Sequence, residues 1–282
     1  MINSETKLIG LIGDPISHSK SPIMHNTMLD KLGLNYRYLA FNVSANRLEQ
    51  ALDGIRALNI KGINVTIPHK VNVMKYLDDI SEEAIKIGAV NTIVNQGGKL
   101  IGYNTDGEGY VRSLVEETGV SLKDKRIMLL GAGGAAKAIG YTLSMRNLGS
   151  IVIINRNLEK ATELKAVIGK NVSTDSAGID EINDYINNVD IIINTTSIGL
   201  YPNIEQSLIN KELINPSHLV SDIIYNPLIT KLLIDADNKG AMVHTGLGMF
   251  IYQGAIAFEK WTGVYPDTKF MRDTVIDSYN FD

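Results

Sequence analysis

Residues 131–136, Gly-Ala-Gly-Gly-Ala-Ala, fit the pattern G-x-G-x-x-G/A. The pattern carries chemistry only after a buried strand and at the start of a helix. Both flanks are present. Residues 127–130 are a short apolar run that stops at glycine, as a buried parallel strand does. Residues 135–146 follow with helical composition and no proline. In that order the first glycine permits a tight turn, and the second lets the backbone approach a pyrophosphate. The small residue at Ala136 lets helix and strand pack closely. Gly131, Ala132, Gly133, Gly134 and Ala135 are therefore expected to hold a dinucleotide.

The next strand, residues 150–154, runs into Asn155-Arg156-Asn157. An NAD site of this kind usually has an acid near this point for the ribose 2′-hydroxyl. No Asp or Glu is here. Asn155 can donate hydrogen bonds and Arg156 can fork onto a phosphate, which favours NADP. The missing acid also argues against an S-adenosylmethionine methyltransferase. Residues 190–194 form another buried strand that ends in Thr195-Thr196-Ser197-Ile198-Gly199. Ligands of open α/β sheets sit outside the carboxyl ends of strands, so Thr196 and Ser197 should face the cofactor. A second cluster of polar groups, Ser17, Ser19 and Ser21, precedes Pro22. Ser21 as N-cap with Pro22 in the first turn would open a helix through Lys31. Hydroxyls at a helix start suit a carboxylate, although capping alone would also explain them.

The elements that must position these groups alternate along the chain. Strands are expected at 7–12, 36–43, 62–67, 88–94 and 99–103, the last two joined by a Gly97-Gly98 turn. An amphipathic helix is expected at 47–58 and a helical pattern at 75–87. A helix at 108–118 leads into a second half with strands at 126–130, 150–154, near Val172, 190–194, 219–224 and 241–244. Gly246-Leu247-Gly248 reads as a flexible joint before a long apolar helix, 249–261, with Gln253 in its middle. Both halves are α/β, the second doubly wound and Rossmann-like.

Composition bounds the classes. The 282 residues suffice for two domains. A formal net charge of −4 offers no broad basic surface for nucleic acid. The absence of cysteine excludes disulfides and thiolate zinc sites. His18, His25, His218 and His244 show no metal-ligand spacing with carboxylates, so no metal is expected. No signal-like N-terminus or membrane-length apolar run is present, and the cytoplasm is the expected location.

Several stretches together resemble the shikimate dehydrogenase family over essentially the whole chain. They are Ser19-Lys20-Ser21-Pro22, Asn64-Val65-Thr66-Ile67-Pro68-His69-Lys70, Gly88-Ala89-Val90-Asn91-Thr92, Asn104-Thr105-Asp106-Gly107, the glycine loop, Asn155-Arg156, Tyr225-Asn226-Pro227, and residues 246–253. The resemblance implies reversible, NADP-linked reduction of 3-dehydroshikimate to shikimate, on the way to chorismate and the aromatic amino acids. It implies a substrate domain of residues 1–105, completed by 247–282, and an NADP-binding domain of residues 106–246, with the active site in the cleft between them. It carries the catalytic pair onto Lys70 and Asp106. It carries substrate binding onto Ser19, Ser21, Thr66, Asn91, Asp106, Tyr225 and Gln253, and cofactor binding onto the glycine loop, Asn155, Arg156, Asn157, Thr196, Ser197, Ile223 and Gly246. Asn157 stands where many members have Thr, and Ile223 where Met is common. Some relatives accept quinate or NAD, so a broader quinate/shikimate dehydrogenase is the alternative. A non-catalytic NADP-binding sensor is the reading from another class. A monomer or homodimer acting on a small molecule is expected.

The chemistry agrees with that assignment. Hydride transfer to a ketone leaves an alkoxide that must gain a proton, and the reverse reaction must remove one; a single positioned group serves both directions. Lys70 follows a strand that ends at proline, and Asp106 is expected to orient it and to hydrogen-bond a substrate hydroxyl. His69 is the rival, because histidine titrates nearer neutrality. Side chains near a strand end alternate in direction, so His69 and Lys70 should not share a target.

Overall fold

The computed structural model describes residues 2–279. Residue 1 and residues 280–282, the ends of the expected substrate half, lie outside the described residues. The chain divides into two compact units. One contains the residues up to Thr105 and those from Ile251 onward, the other Asp106–Phe250.

The first unit is built from β1 (Lys7–Gly13), α1 (Ser21–Lys31), β2 (Tyr36–Asn42), α2 (Leu48–Ala57), β3 (Gly62–Val65), β4 (Asp79–Ile80), α3 (Glu82–Ile87), β5 (Thr92–Gln96) and β6 (Lys99–Tyr103). Its sheet has the order β2-β1-β3-β5-β6-β4. Strand β5 runs antiparallel to both neighbours, and the remaining pairs are parallel. The carboxyl ends of β1, β3 and β6 therefore share one edge, with the start of β5 among them. Leu48, Leu52 and Ile55, spaced for one helical face, bury α2 on Ile63, Ile93 and Leu100.

The helical pattern at 75–87 is split. A 3-10 turn, Asn72–Tyr76, gives way to β4 before α3 begins. Pairing of Asp79 and Ile80 with Ile101 and Gly102 overrides the local propensity, and the Asp78 carboxylate accepts the Leu100 amide at 2.7 Å. The Ser81 hydroxyl then caps α3 by accepting from the Ala84 amide.

The second unit contains α4 (Asp106–Thr118), β7 (Arg126–Leu130), α5 (Gly134–Ser144), β8 (Ser150–Ile154), α6 (Leu158–Ile168), β9 (Thr174–Ala177), α7 (Ile182–Ile186), β10 (Ile191–Asn194), β11 (Leu219–Asp222), α8 (Lys231–Asn238) and β12 (Met242–His244). All its strands are parallel, in the order β12-β11-β10-β7-β8-β9. This is the doubly wound arrangement, with the reversal of strand order between β7 and β10. The sheet is buried on both faces. Ile127 and Leu129 of β7 face one apolar cluster, Met128 and Leu130 the other.

Two helices follow, α9 (Gly246–Thr262) and α10 (Thr268–Tyr279). The boundary between units falls inside α9. The expected flexible joint at Gly246 is the first turn of this helix. Its glycine is required by space, since a Cβ there would lie 2.3 Å from the Ile223 carbonyl carbon. Within the first unit, Gly62 leaves room for Trp261, whose indole nitrogen donates to the Ile93 carbonyl at 2.9 Å. A Cβ on Gly254 would meet Met24 at 2.5 Å.

Candidate active site

In the first unit, strand pairing places five of the sequence-expected residues at one sheet edge. Ser19 and Ser21 follow β1, Thr66 and Lys70 follow β3, and Asn91 precedes β5. Backbone bonds stitch this edge together. The Thr66 amide donates to the Ile12 carbonyl at 3.0 Å, Val65 to Asn91 at 2.8 Å, and Val90 to Lys70 at 2.8 Å.

Ser21 does not cap α1. The N-cap is Lys20, and Ser19 Oγ accepts from the Ser21 amide at 3.2 Å. Not engaged as a cap, the buried Ser21 hydroxyl is bonded to the phenol of Tyr38. Tyr38 in turn donates to Asn64 Oδ1 at 2.8 Å, and Asn64 Nδ2 donates to Thr92 Oγ1 at 3.1 Å. Asn91 Oδ1 accepts from the Thr105 amide at 2.8 Å while Asn91 Nδ2 donates to Thr105 Oγ1 at 2.9 Å. Burial pushes the Tyr38 phenol up, so it serves as a neutral donor.

Lys70 is half-buried. His69 is only 1% exposed, and its Nε2 bonds the Val43 carbonyl at 2.6 Å. The two side chains are thus separated in environment, and the histidine is spent on the backbone. Gln253 is the half-buried position in the otherwise buried stretch 251–258 of α9.

The remaining expected residues belong to the second unit. Asp106 opens α4 and is 7% exposed. Tyr225 stacks on Phe250 with ring centroids 5.0 Å apart, and burial raises its phenol.

The glycine loop has the geometry its sequence requires. Gly131 adopts φ +106°, and a Cβ there would lie 2.7 Å from Thr195 Oγ1. Gly133 and Gly134 face open space, with nothing within 4 Å of an added Cβ. No side chain caps the start of α5, so its free amides suit an anion. At the end of β8, Asn155 Nδ2 donates to the Asn157 carbonyl at 2.8 Å. Asn157 Oδ1 accepts from the Lys160 amide and caps α6. Arg156 is exposed and its guanidinium has no partner among the described residues. Thr196 is half-buried, Ser197 exposed and Ile223 half-buried. This donor set and open cradle fit a phosphorylated dinucleotide.

Comparison with known proteins gives the same outline. Residues 11–93 match the family model described as the shikimate dehydrogenase substrate binding domain, and residues 113–224 match that of shikimate / quinate 5-dehydrogenase. Residues 246–276 match the shikimate 5′-dehydrogenase C-terminal domain. A Geobacillus protein named shikimate dehydrogenase (NADP(+)) is 49% identical over 96% of this chain and 98% of its own. The chain belongs to the shikimate dehydrogenase family. A crystal structure of a shikimate dehydrogenase in complex with NADP+ superimposes with a TM-score of 0.92 at 48% identity, covering 99% of this chain and 97% of that one. The Listeria monocytogenes shikimate 5-dehydrogenase, in complex with shikimate and NAD, gives a TM-score of 0.92 at 38% identity over 96% and 97%.

Beside the expected site residues the fold places polar groups to which the sequence alone assigns no role. Tyr38, Asn64, Thr92 and Thr105 form the buried network beneath Ser21 and Asn91, and Asn194 and Asp222 hold a second one in the other unit. Their signal was a polar residue at a buried strand position, as with Asn64 inside Gly-Ile-Asn-Val.

Proposed function

We propose that this chain catalyses the reversible, NADP-linked reduction of 3-dehydroshikimate to shikimate. The observation that carries it is near-full-length identity of 47–49% to proteins named shikimate dehydrogenase (NADP(+)). The first unit is assigned the substrate, through Ser19, Ser21, Thr66, Asn91 and Gln253, and the second the cofactor. Asp106 and Tyr225 complete the substrate contacts.

The glycine loop, the free start of α5, Asn155 and Arg156 would hold NADP(H), with Asn157, Thr196, Ser197, Ile223 and Gly246 beside it. The cofactor supplies or accepts the hydride at the substrate carbon. Lys70 gives a proton to the resulting alkoxide oxygen, or removes it from the alcohol in the other direction. Asp106 orients the Lys70 amine and holds a substrate hydroxyl. Neutral donors and acceptors at the Ser, Thr, Asn and Gln positions suit a small polyhydroxylated acid.

Arg156, exposed and without a described partner, favours NADP over NAD. Turnover of shikimate and of quinate, each with NADP and with NAD, tests the reading. Strong activity confined to shikimate with NADP supports it. Comparable rates with quinate or NAD point to the broader dehydrogenase, and cofactor binding without turnover to a sensor. No helix among the described residues is long and apolar enough to cross a membrane.

A further inference from the structure

Asp222, the last residue of β11, is fully buried, yet the reaction as described gives it no part. Its carboxylate is met by donors on every side. Oδ2 accepts from Asn194 Nδ2 at 3.0 Å and from Thr230 Oγ1 at 2.8 Å; Oδ1 accepts from the Ile224 amide at 3.0 Å. The Ile223 amide donates to the Asn194 carbonyl at 3.1 Å, tying the same two strand ends. Burial pushes this carboxyl up, and its hydrogen bonds pull it part of the way back toward ionisation.

Asn194 passes this anchoring on. Its Nδ2 is given to Asp222 and to the Ile198 carbonyl, so its Oδ1 is turned to Thr196. That oxygen accepts from the Thr196 amide at 3.1 Å and from Thr196 Oγ1 at 2.7 Å. Thr196 Oγ1 then accepts from the Ile198 amide at 3.1 Å. The neighbouring Thr195 hydroxyl donates to the Leu130 carbonyl at 2.6 Å, against Gly131 of the glycine loop. One buried carboxylate thus fixes the loop after β10, the backbone at residues 223–224, and Thr230 at the start of α8.

We infer that Asp222 is a positioning residue for the cofactor, acting through Asn194 to fix the amide orientation that holds Thr196. An amide at position 222 would present N–H groups where the surrounding groups are themselves donors. With its NH2 toward Asn194, that side chain must flip to restore a bond, and its Nδ2 then opposes the Thr196 amide; with its NH2 the other way, it opposes the Ile224 amide. Either arrangement loosens the loop that holds Thr196 or the backbone beside it, while the sheet and its apolar faces stay in place.

The inference rests on the NADP reading, and the experiment separates the two. NADPH binding is titrated by its fluorescence in wild type, Asp222→Asn, Asn194→Ala and the double variant, with thermal melts for each and KM for shikimate at saturating NADP. The expected result is a Kd for NADPH raised about tenfold or more in Asp222→Asn, with KM for shikimate changed less than about threefold. The effects of Asp222→Asn and Asn194→Ala should not add, because one acts through the other. Thr196→Val, which leaves the core intact, should raise the same Kd if the buried variants fail to fold. Unchanged NADPH affinity in Asp222→Asn, additive effects in the double variant, or an equal loss of shikimate and cofactor affinity overturns the role of Asp222. Wild type that binds no NADPH overturns the cofactor reading and this inference with it.

Discussion

Asn91 grips Thr105 from both sides, accepting the Thr105 amide at 2.8 Å through Oδ1 and donating to its hydroxyl at 2.9 Å through Nδ2. Thr105 is 1% exposed and directly precedes Asp106. Thr105→Val keeps the shape and removes the buried hydroxyl that accepts from Asn91 Nδ2 and lies 3.2 Å from Thr92 Oγ1. Loss of one partner of a buried hydrogen bond costs about 1–3 kcal/mol. Urea unfolding should register that loss. A midpoint equal to wild type would mean that the Asn91 amide readily finds another partner.

Lys70→Ala should lower kcat by roughly 10²- to 10⁴-fold, the usual worth of a positioned acid–base group, with a much smaller change in KM. His69→Ala should instead lower stability, because the imidazole is buried and bonded to the Val43 carbonyl. Steady-state kinetics of both variants decide the matter. The reverse ranking in kcat would move the proton transfer to His69.

Arg156→Ala should raise KM for NADP about ten- to more than a hundred-fold and leave KM for NAD nearly unchanged. A charge-assisted bond to the 2′-phosphate is worth roughly 1.5–3 kcal/mol, and 1.4 kcal/mol is tenfold. Equal weakening of both cofactors, or a wild type that prefers NAD, would show that the guanidinium does not read the phosphate.

His25 gives the protein an acid-sensitive core. It is fully buried, stacks on Tyr38 at 4.3 Å and on Phe258 at 6.0 Å, and neither ring nitrogen has a hydrogen-bond partner among the described residues. Burial pulls its pKa from 6.5 to about 3. Between these values the unfolded chain takes up a proton that the folded chain does not. Stability therefore falls as pH drops below about 6.5, by up to roughly 1.4 kcal/mol per unit. His25→Phe should flatten this slope while preserving the stack. Unfolding midpoints at pH 7 and pH 5 test it, and parallel shifts in both proteins would sink the idea.

The sequence made the glycine loop and the doubly wound half legible, because each depends on local order: strand, turn, helix. Gly131 needed its left-handed angle and Ala136 its small side chain, and both are visible in six residues. What stayed hidden depends on distant partners. Asp222 is surrounded by groups from Asn194 and Thr230, 28 and 8 residues away. Tyr38 looked like a strand tyrosine, and only the fold brings its hydroxyl to Ser21 and Asn64. Residues 75–87 misled for the same reason, since β4 exists only through its pairing with β6. Gly246-Leu247-Gly248 reads in sequence as a free backbone, whereas the fold uses Gly246 to admit the Ile223 carbonyl.

The first unit takes its framework from both ends of the chain, with Asp106–Phe250 inserted between them. A ribosome making this protein finishes β6 long before it reaches Trp261. At about 5–20 residues per second, the intervening stretch takes roughly ten to thirty seconds. Throughout that interval the notch at Gly62 and the surface around Met24 and His25 lack α9, whereas the inserted unit gains its last strand, β12, before Trp261 is made. The order of synthesis thus leaves α9 as the late piece that fills the Gly62 notch with Trp261 and sets Gly254 against Met24.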